Sequence, residues 1–168
     1  MANRLVSVLS LAAAIAVVLP ASAIPAASAA ARALARKALA KGDHASVVAA
    51  FDAALPSLKS PADRVFVLQT VASLEERTGN PAAALERYTA AASATSVRDD
   101  ALFLDAARCA LALNALPAAE SLVRSGLQTS FDGATNLRAR VYSAWIQRGA
   151  GNRSESLSLI RSFASNPA

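Results

Sequence analysis

The sequence predicts an all-α chain in which about four helix-turn-helix units stack into an α-solenoid. Hydrophobic residues make up 54% of the 168 residues but aromatic residues only 5%, because much of the apolar content is alanine, the strongest helix former. Apolar residues also follow helical spacing on both sides of a turn marker that recurs along the chain. The four markers, separated by 37, 35 and 37 residues, are Gly42, Gly79, Asn114 and Gly151.

The first 23 residues have the three zones of a secretory signal peptide. Arg4 supplies positive charge, residues 5–19 are apolar and uncharged, and small residues at 21–23 offer a cleavage site. The apolar run of 15 residues is shorter than the about 20 residues that a membrane span needs. We therefore expect a signal peptide over 1–23, with an alternative cut after residue 29. The mature protein should be extracytoplasmic, either periplasmic or secreted, with no integral membrane span.

The repeat domain should cover residues 28–168. Its units are expected at about 28–61, 65–98, 100–133 and 137–168. Each of the first three units has a small residue seven positions before its marker, which lets two helices approach closely. These residues are Ala35, Ala72 and Ala107. The second helices share an apolar position nine residues after the marker, which holds Phe51 and Tyr88 in the first two units.

The period and the small residues together resemble the tetratricopeptide repeat (TPR) family, which stacks two helices per unit of about 34 residues. Gly42 and Gly79 match the inter-helix turn of that family, and Phe51 and Tyr88 match the aromatic residue of its second helix. The small residues that match three positions later are Ala54, Ala91 and Gly126. One such unit cannot bury its own apolar face, so units stack on one another.

The match weakens toward the C-terminus. The fourth unit fits better if its turn, residues 149–152, holds one extra residue. That register puts Tyr142, Ser143 and Ile146 in the core and leaves the position of Trp145 ambiguous. The residues of the last helix that should pack on the preceding helix are Leu157, Ile160 and Phe163. Leu159 should then lie on the outer side.

The resemblance implies a non-enzymatic protein- or peptide-binding scaffold of the cell envelope, because peptides usually bind the concave face that the first helices of such solenoids form. The repeat register places on this face Arg32, Arg36, Gln69, Ser73, Glu76, Leu104, Arg108 and Arg140. The family's device for a peptide's terminal carboxylate maps onto Arg32, Arg36, Thr70, Ala101 and Asp105. Because Asp105 would repel a carboxylate, we expect no such clamp.

Surplus positive charge lies in the last quarter of the chain. Residues 24–123 hold ten basic and ten acidic residues, whereas residues 124–168 hold six arginines and two acids. An alternative function is therefore a structural or polymer-binding envelope protein, whose basic quarter meets anionic cell-wall or lipid surfaces. A solvated helix face is the plainer explanation of the same charge. A contact surface for a partner or a second copy is expected at the C-terminal end, from Leu159, Arg148, Arg153 and Arg161.

No catalytic, cofactor or metal site is predicted. The single histidine, His44, lies in a predicted turn without metal ligands at suitable spacing, and no Gly-x-Ser-x-Gly or phosphate-binding loop occurs. Asp99 and Asp100 open a helix, where acidic residues cap exposed N–H groups. Cys109 lies in an apolar helical stretch and should be a buried packing residue. We expect no nucleic acid partner, because the chain lacks a recognition-helix signature.

Overall fold

The computed structural model describes residues 28–40, 42–94, 99–127 and 133–165, with the last three of these as backbone only. The predicted signal peptide lies outside them. The described chain is all-α, as the sequence predicts, and contains no strand. Its helices are α1 (Ala29–Leu39), α2 (His44–Ala54), α3 (Pro61–Arg77), α4 (Pro81–Ala94), α5 (Asp100–Ala112), α6 (Leu116–Gly126), α7 (Gly133–Gly149) and α8 (Arg153–Ser165). A short 3-10 helix, Leu55–Ser57, follows α2.

The helices form four hairpins, each with a tight turn at a predicted marker. Gly42, Gly79 and Gly151 have φ values of 83°, 82° and 86°, and Asn114 has a φ of 56°. A left-handed residue directly after a helix lets its N–H groups bond back to the last carbonyls and reverses the chain. Asparagine is among the few other residues that adopt this conformation readily, which explains how it replaces glycine in the third turn.

The fourth turn does not contain an extra residue, so that part of the sequence prediction is wrong. Gly151, and not Gly149, has the positive φ, and Ala144 lies seven residues before it. Ala144 is only 1% exposed, in register with the buried Ala35, Ala72 and Ala107. Tyr142 and Ile146 are nevertheless buried as predicted, while Ser143 is half-buried.

Helix starts follow the residue types that favour them. The side chains of Ser28 and Asp43 accept hydrogen bonds from N–H groups of the first turns of α1 and α2. Asp99 caps α5 by accepting a bond from the Ala101 N–H, which confirms its predicted capping role. Proline at the first or second helical position costs no hydrogen bond, and α3, α4 and α6 begin in this way.

The core consists of three clusters, and each joins one hairpin to the first helix of the next. Phe51 of α2 packs with Val67, Val71 and Leu74 of α3. Tyr88 of α4 packs in the same manner against α5. Val123 of α6 lies in a cluster with residues of α7. Since no hairpin buries its apolar residues alone, stability comes from stacking neighbours.

Close approach within hairpins depends on small residues. A Cβ atom added at Gly126 would lie 3.0 Å from the Leu104 side chain, so the missing side chain makes room for that leucine. Of the helices in the described part of the chain, none has the length and hydropathy to cross a membrane.

Candidate functional site

A ladder of charged side chains runs across successive first helices. Glu76, at the end of α3, accepts bonds from the Nε and Nη2 atoms of Arg108 on α5, at 2.5 and 2.7 Å. Asp105, also on α5, accepts a bond of 2.7 Å from Arg138 on α7. The partners lie 32 and 33 residues apart, which is close to one repeat. We call Glu76, Arg108, Asp105 and Arg138 the ion-pair ladder.

Asp105 links the two pairs of the ladder. Its Oδ1 atom lies 3.5 Å from Arg108 Nη2 and 2.7 Å from Arg138 Nη2, while its side chain is only 12% exposed. A carboxylate this deeply placed would be costly to bury without partners, and two guanidinium groups provide them. The ladder therefore carries two negative and two positive charges, all engaged with one another.

The ladder holds its arginines in the charged form. Burial alone lowers the pKa of Arg108, but the hydrogen bond to Glu76 and the charge of Asp105 outweigh burial and raise it above the ordinary value. Burial likewise lowers the pKa of Arg138, and the charge of Asp105 reverses the direction. Bidentate guanidinium–carboxylate geometry of this kind fixes side chains in position. These groups therefore form a rigid polar surface.

Aromatic rings extend the ladder along α7. The Arg138 guanidinium lies 6.0 Å from the centroid of the Tyr142 ring, and the Tyr142 and Trp145 centroids are 6.1 Å apart. Tyr142 is buried, whereas Trp145 is 55% exposed. Beneath the other end of the ladder, the Tyr88 hydroxyl is 3.5 Å from Glu76. Burial raises the pKa of Tyr88, so this hydroxyl is protonated at neutral pH.

Trp145 shares its position in the repeat with residues that the sequence predicts on the concave face. It lies six residues before its turn marker, as do Arg36, Ser73 and Arg108 in the other hairpins. We call the ion-pair ladder together with Ser73 and Trp145 the first-helix face. Trp145 is the only tryptophan in the chain. In the predicted register the position of Trp145 is ambiguous, and Arg138 is not among the residues predicted on this face.

The structure distributes the predicted peptide-binding residues differently from the prediction. Glu76 and Arg108 lie together in the ladder, with Gln69 and Ser73 half-buried on the same helix as Glu76. Leu104 does not face solvent, contrary to the prediction, because it is completely buried against Gly126.

The remaining predicted residues of this set lie at the two ends of the chain. Arg32 and Arg36 are exposed on α1. Arg140 donates a bond of 3.0 Å to Ser162 on α8, so it reaches its own hairpin partner and not the ladder. The structure therefore brings together the middle of the predicted set and separates its ends.

The predicted C-terminal contact surface has a different register from the one expected. Leu157 and Ile160 remain 51% and 48% exposed. Ser156 is buried instead, because its hydroxyl donates to the Ala144 carbonyl of α7. Leu159, predicted on the outer side, is half-buried. Phe163 lies among residues whose side chains are not described. Exposed charge at this end comes from Arg148, Arg153 and Arg161.

The basic quarter does not form one unpaired patch. Arg124 bonds Glu120 of its own helix at 3.0 Å, Arg138 belongs to the ladder, and Arg140 bonds Ser162. The exposed arginines outside these contacts lie on the last hairpin. The excess charge is therefore concentrated around the α7–α8 hairpin.

The other polar and nucleophilic residues have structural surroundings. His44 Nε2 lies 3.2 Å from the buried Glu75, which also accepts a bond from Asn80. Cys109 is completely buried, and burial raises its pKa to about 12, so it is an unreactive thiol at neutral pH. Within the described ranges, no three histidine, cysteine, aspartate or glutamate side chains are grouped as metal ligands.

The chain was also compared with known proteins. Neither protein-family models, nor curated protein sequences, nor solved structures give a match to it.

Proposed function

We propose that this protein is a non-enzymatic, protein- or peptide-binding scaffold built from tetratricopeptide-like repeats in an α-solenoid. The observation that carries the proposal is Trp145, which is 55% exposed at the end of a face of fixed polar groups. Exposed tryptophan is costly in water and is enriched among the residues that dominate binding energies. The TPR resemblance of the sequence supports the same face as the binding surface.

The ion-pair ladder suits such a role because it is already ordered. Binding loses affinity when side chains must be immobilised, and the bonds of Arg108 and Arg138 immobilise them before a ligand arrives. Because the charges of the ladder sum to zero, it presents hydrogen-bond donors and acceptors to a ligand without a net charge. We infer that it orients a segment whose apolar side chain packs on Trp145.

The proposal includes export to the cell envelope through a signal peptide over residues 1–23. Cleavage after residue 23 would keep Ser28, whose N–H and hydroxyl donate to Asp63 at 2.7 and 2.9 Å and whose side chain caps α1. A cut after residue 29 would remove those bonds between α1 and α3. N-terminal sequencing of the exported protein should therefore find Ile24 as the first residue, and an intact Met1 would contradict export.

The single tryptophan makes the first-helix face directly measurable. Peptides selected from a random display library on the purified protein should share a motif with an apolar residue, and binding should shift the emission of Trp145. Replacing Trp145 by Ala should weaken these peptides about thirtyfold or more, the size of a hot-spot loss. Leu113→Ala is the matched control, since Leu113 is 42% exposed but lies in the α5–α6 turn.

Two results would contradict the proposed face. One is a set of selected peptides that leave the Trp145 emission unchanged and bind the Trp145→Ala variant equally well. The other is failure to select any peptide while anionic cell-wall polymer or lipid binds in a salt-sensitive manner. The latter result would favour the polymer-binding alternative.

A further inference from the structure

Exposed large hydrophobic side chains are concentrated in the last hairpin. Leu137, Trp145, Leu157 and Ile160 are between 47% and 55% exposed. Elsewhere in the described ranges, only Leu113 and Leu127 belong to this class, at 42% and 38%. Trp145 belongs to the first-helix face, which leaves three exposed aliphatic residues on this hairpin to explain.

One of these positions, that of Ile160, is buried in every hairpin that another hairpin follows. The residues nine positions after each turn marker are Phe51, Tyr88, Val123 and Ile160. Their exposures are 0%, 3%, 3% and 48% in that order. Leu137, 14 residues before Gly151, corresponds to Val65, which is 1% exposed in the second hairpin, while Ser28 and Asp100 hold this position in the first and third. The first three members of the series are covered by the first helix of the next hairpin.

The exposed residues of α8 form a stripe along one side of the helix. Arg153, Leu157 and Ile160 follow i, i+4, i+7 spacing, which aligns them on one face. On α6, the corresponding Leu116 and Val123 pack against α7, where the Leu116 side chain is 3.0 Å from a Cβ atom added at Gly149. We call Leu137, Arg148, Arg153, Leu157 and Ile160 the α7–α8 end face. At each inner joint, the residue equivalent to Ile160 is covered by the first helix of the next hairpin.

Charge indicates what kind of helix fits the end face. Residues 133–165 contain five arginines and a single acid, Glu155, and Arg148 and Arg153 are exposed on the end face itself. A second copy stacked through α1 would bring Arg32, Arg36 and Lys37, all exposed, toward these arginines. Like charges across an interface oppose association, so a second copy is a poor occupant.

We propose that the α7–α8 end face binds an amphipathic helix of another protein whose polar side is acidic. Leu137, Leu157 and Ile160 would receive its apolar side, as the second helices of the first three hairpins receive α3, α5 and α7. Arg148 and Arg153 would meet its carboxylates and set its orientation. The aliphatic residues of this surface lie outside the first-helix face, and Arg148 is the member nearest in sequence to Trp145, so the proposal does not depend on the proposed function.

Two designed peptides test the proposal on the full chain. Both are alanine- and leucine-based amphipathic helices of about 20 residues, a length at which such helices form in water. One carries glutamate on its polar side and the other carries lysine. Fluorescence anisotropy of the labelled peptides should show binding of the glutamate peptide only. Ile160→Glu should weaken that binding about tenfold or more, because a buried aliphatic contact is lost.

A charge exchange separates recognition from misfolding. The double variant Arg148→Glu, Arg153→Glu should lose the glutamate peptide and bind the lysine peptide, which an unfolded end could not do. Leu113→Glu is the matched control, since its side chain has similar exposure but does not belong to the end face, and it should bind as the unchanged chain does. Peptide binding to the first-helix face, read from Trp145 emission, should persist in the Ile160→Glu and Leu113→Glu variants.

Five outcomes would overturn the proposal. Equal binding of both peptides, or unchanged binding by Ile160→Glu, would show that the end face is not the site. A dimer in sedimentation that Ile160→Glu dissociates would make a second copy the occupant. Vesicles of anionic lipid that bind with the same dependence on Ile160 would make it a lipid surface. If the thiol of an Ile160→Cys variant is labelled slowly, at a rate that does not depend on protein concentration, the chain itself covers this face. Cys109 gives little background because it is buried.

Discussion

The joint between α4 and α5 and the end face of α7–α8 use the same position of the repeat in opposite ways. Tyr88 is 3% exposed at the joint, because residues of α5 pack over it, whereas Ile160 is 48% exposed at the end. Both follow a left-handed glycine by nine residues. Burial at this position of the repeat therefore depends on whether a neighbouring hairpin packs over it and not on the residue type.

Charged residues show the same contrast. At the inner joints, Glu76 pairs with Arg108 and Asp105 pairs with Arg138 across successive first helices. At the end face, α7 carries no acidic residue that could pair with Arg148. The inner joints therefore balance charge within the chain, while the last hairpin carries five arginines and a single acid, Glu155.

The largest expected effect breaks an inner joint. Phe51→Ala should lower the free energy of unfolding by about 3–5 kcal/mol, because it leaves a cavity in the α2–α3 cluster. Ile160→Ala should change it by less than about 0.5 kcal/mol, as is usual for exposed positions. Urea unfolding followed by circular dichroism measures both. Equal losses in the two variants would mean that the end face is covered in the folded chain.

An intermediate effect concerns the ion-pair ladder. Asp105→Asn should lower the free energy of unfolding by about 1–2 kcal/mol, because it removes the negative charge that both arginines contact. The partial exposure of the arginines to solvent keeps the loss this small. Glu120→Gln removes the partner of Arg124 in a pair whose side chains are 56% and 72% exposed, and should cost less than about 0.5 kcal/mol. Thermal or urea unfolding compares them. A loss for Asp105→Asn no larger than that for Glu120→Gln would show that the ladder contributes orientation and not stability.

The smallest effect at neutral pH concerns Cys109 in the α4–α5 joint. Burial raises its pKa from 9.0 to about 12, so the unfolded chain releases this proton first. The stability that the protonated Cys109 thiol contributes should be complete below pH 9 and should be lost as the pH rises through 12. Cys109→Ala should flatten that decline. Unfolding titrations between pH 7 and 11 measure it, and rapid reaction of native Cys109 with a thiol reagent at pH 8 would contradict its burial.

Features that depend on local constraints could be predicted from the sequence. The turn markers at Gly42, Gly79 and Asn114 require a left-handed backbone, which few residues adopt, so their spacing indicates the hairpins. The small residues at the helix crossings can be predicted in the same way, because a larger side chain would separate the helices. All-α structure, the cap at Asp99 and the burial of Cys109 followed from the same kind of reasoning.

Features that depend on neighbours could not be read in this way. Leu104 was assigned to the surface because its register matches Arg32 and Gln69, yet the absence of a side chain at Gly126 gives it a buried site. The pair Asp105–Arg138 joins residues 33 positions apart, and only the packing of α5 on α7 brings them together. Leu157 and Ile160 have a core pattern, but none of the described residues forms a helix that would complete the core.

The arrangement of the three core clusters also bears on how fast the chain folds. Each cluster draws on one hairpin and the first helix of the next, so the substantial helix contacts join helices that are adjacent or one apart in the chain. Low contact order of this kind permits folding on the microsecond to millisecond scale. Folding can then begin at any joint and extend in both directions. The first and last hairpins, each of which shares a core with one neighbour only, should open before the middle two in hydrogen exchange.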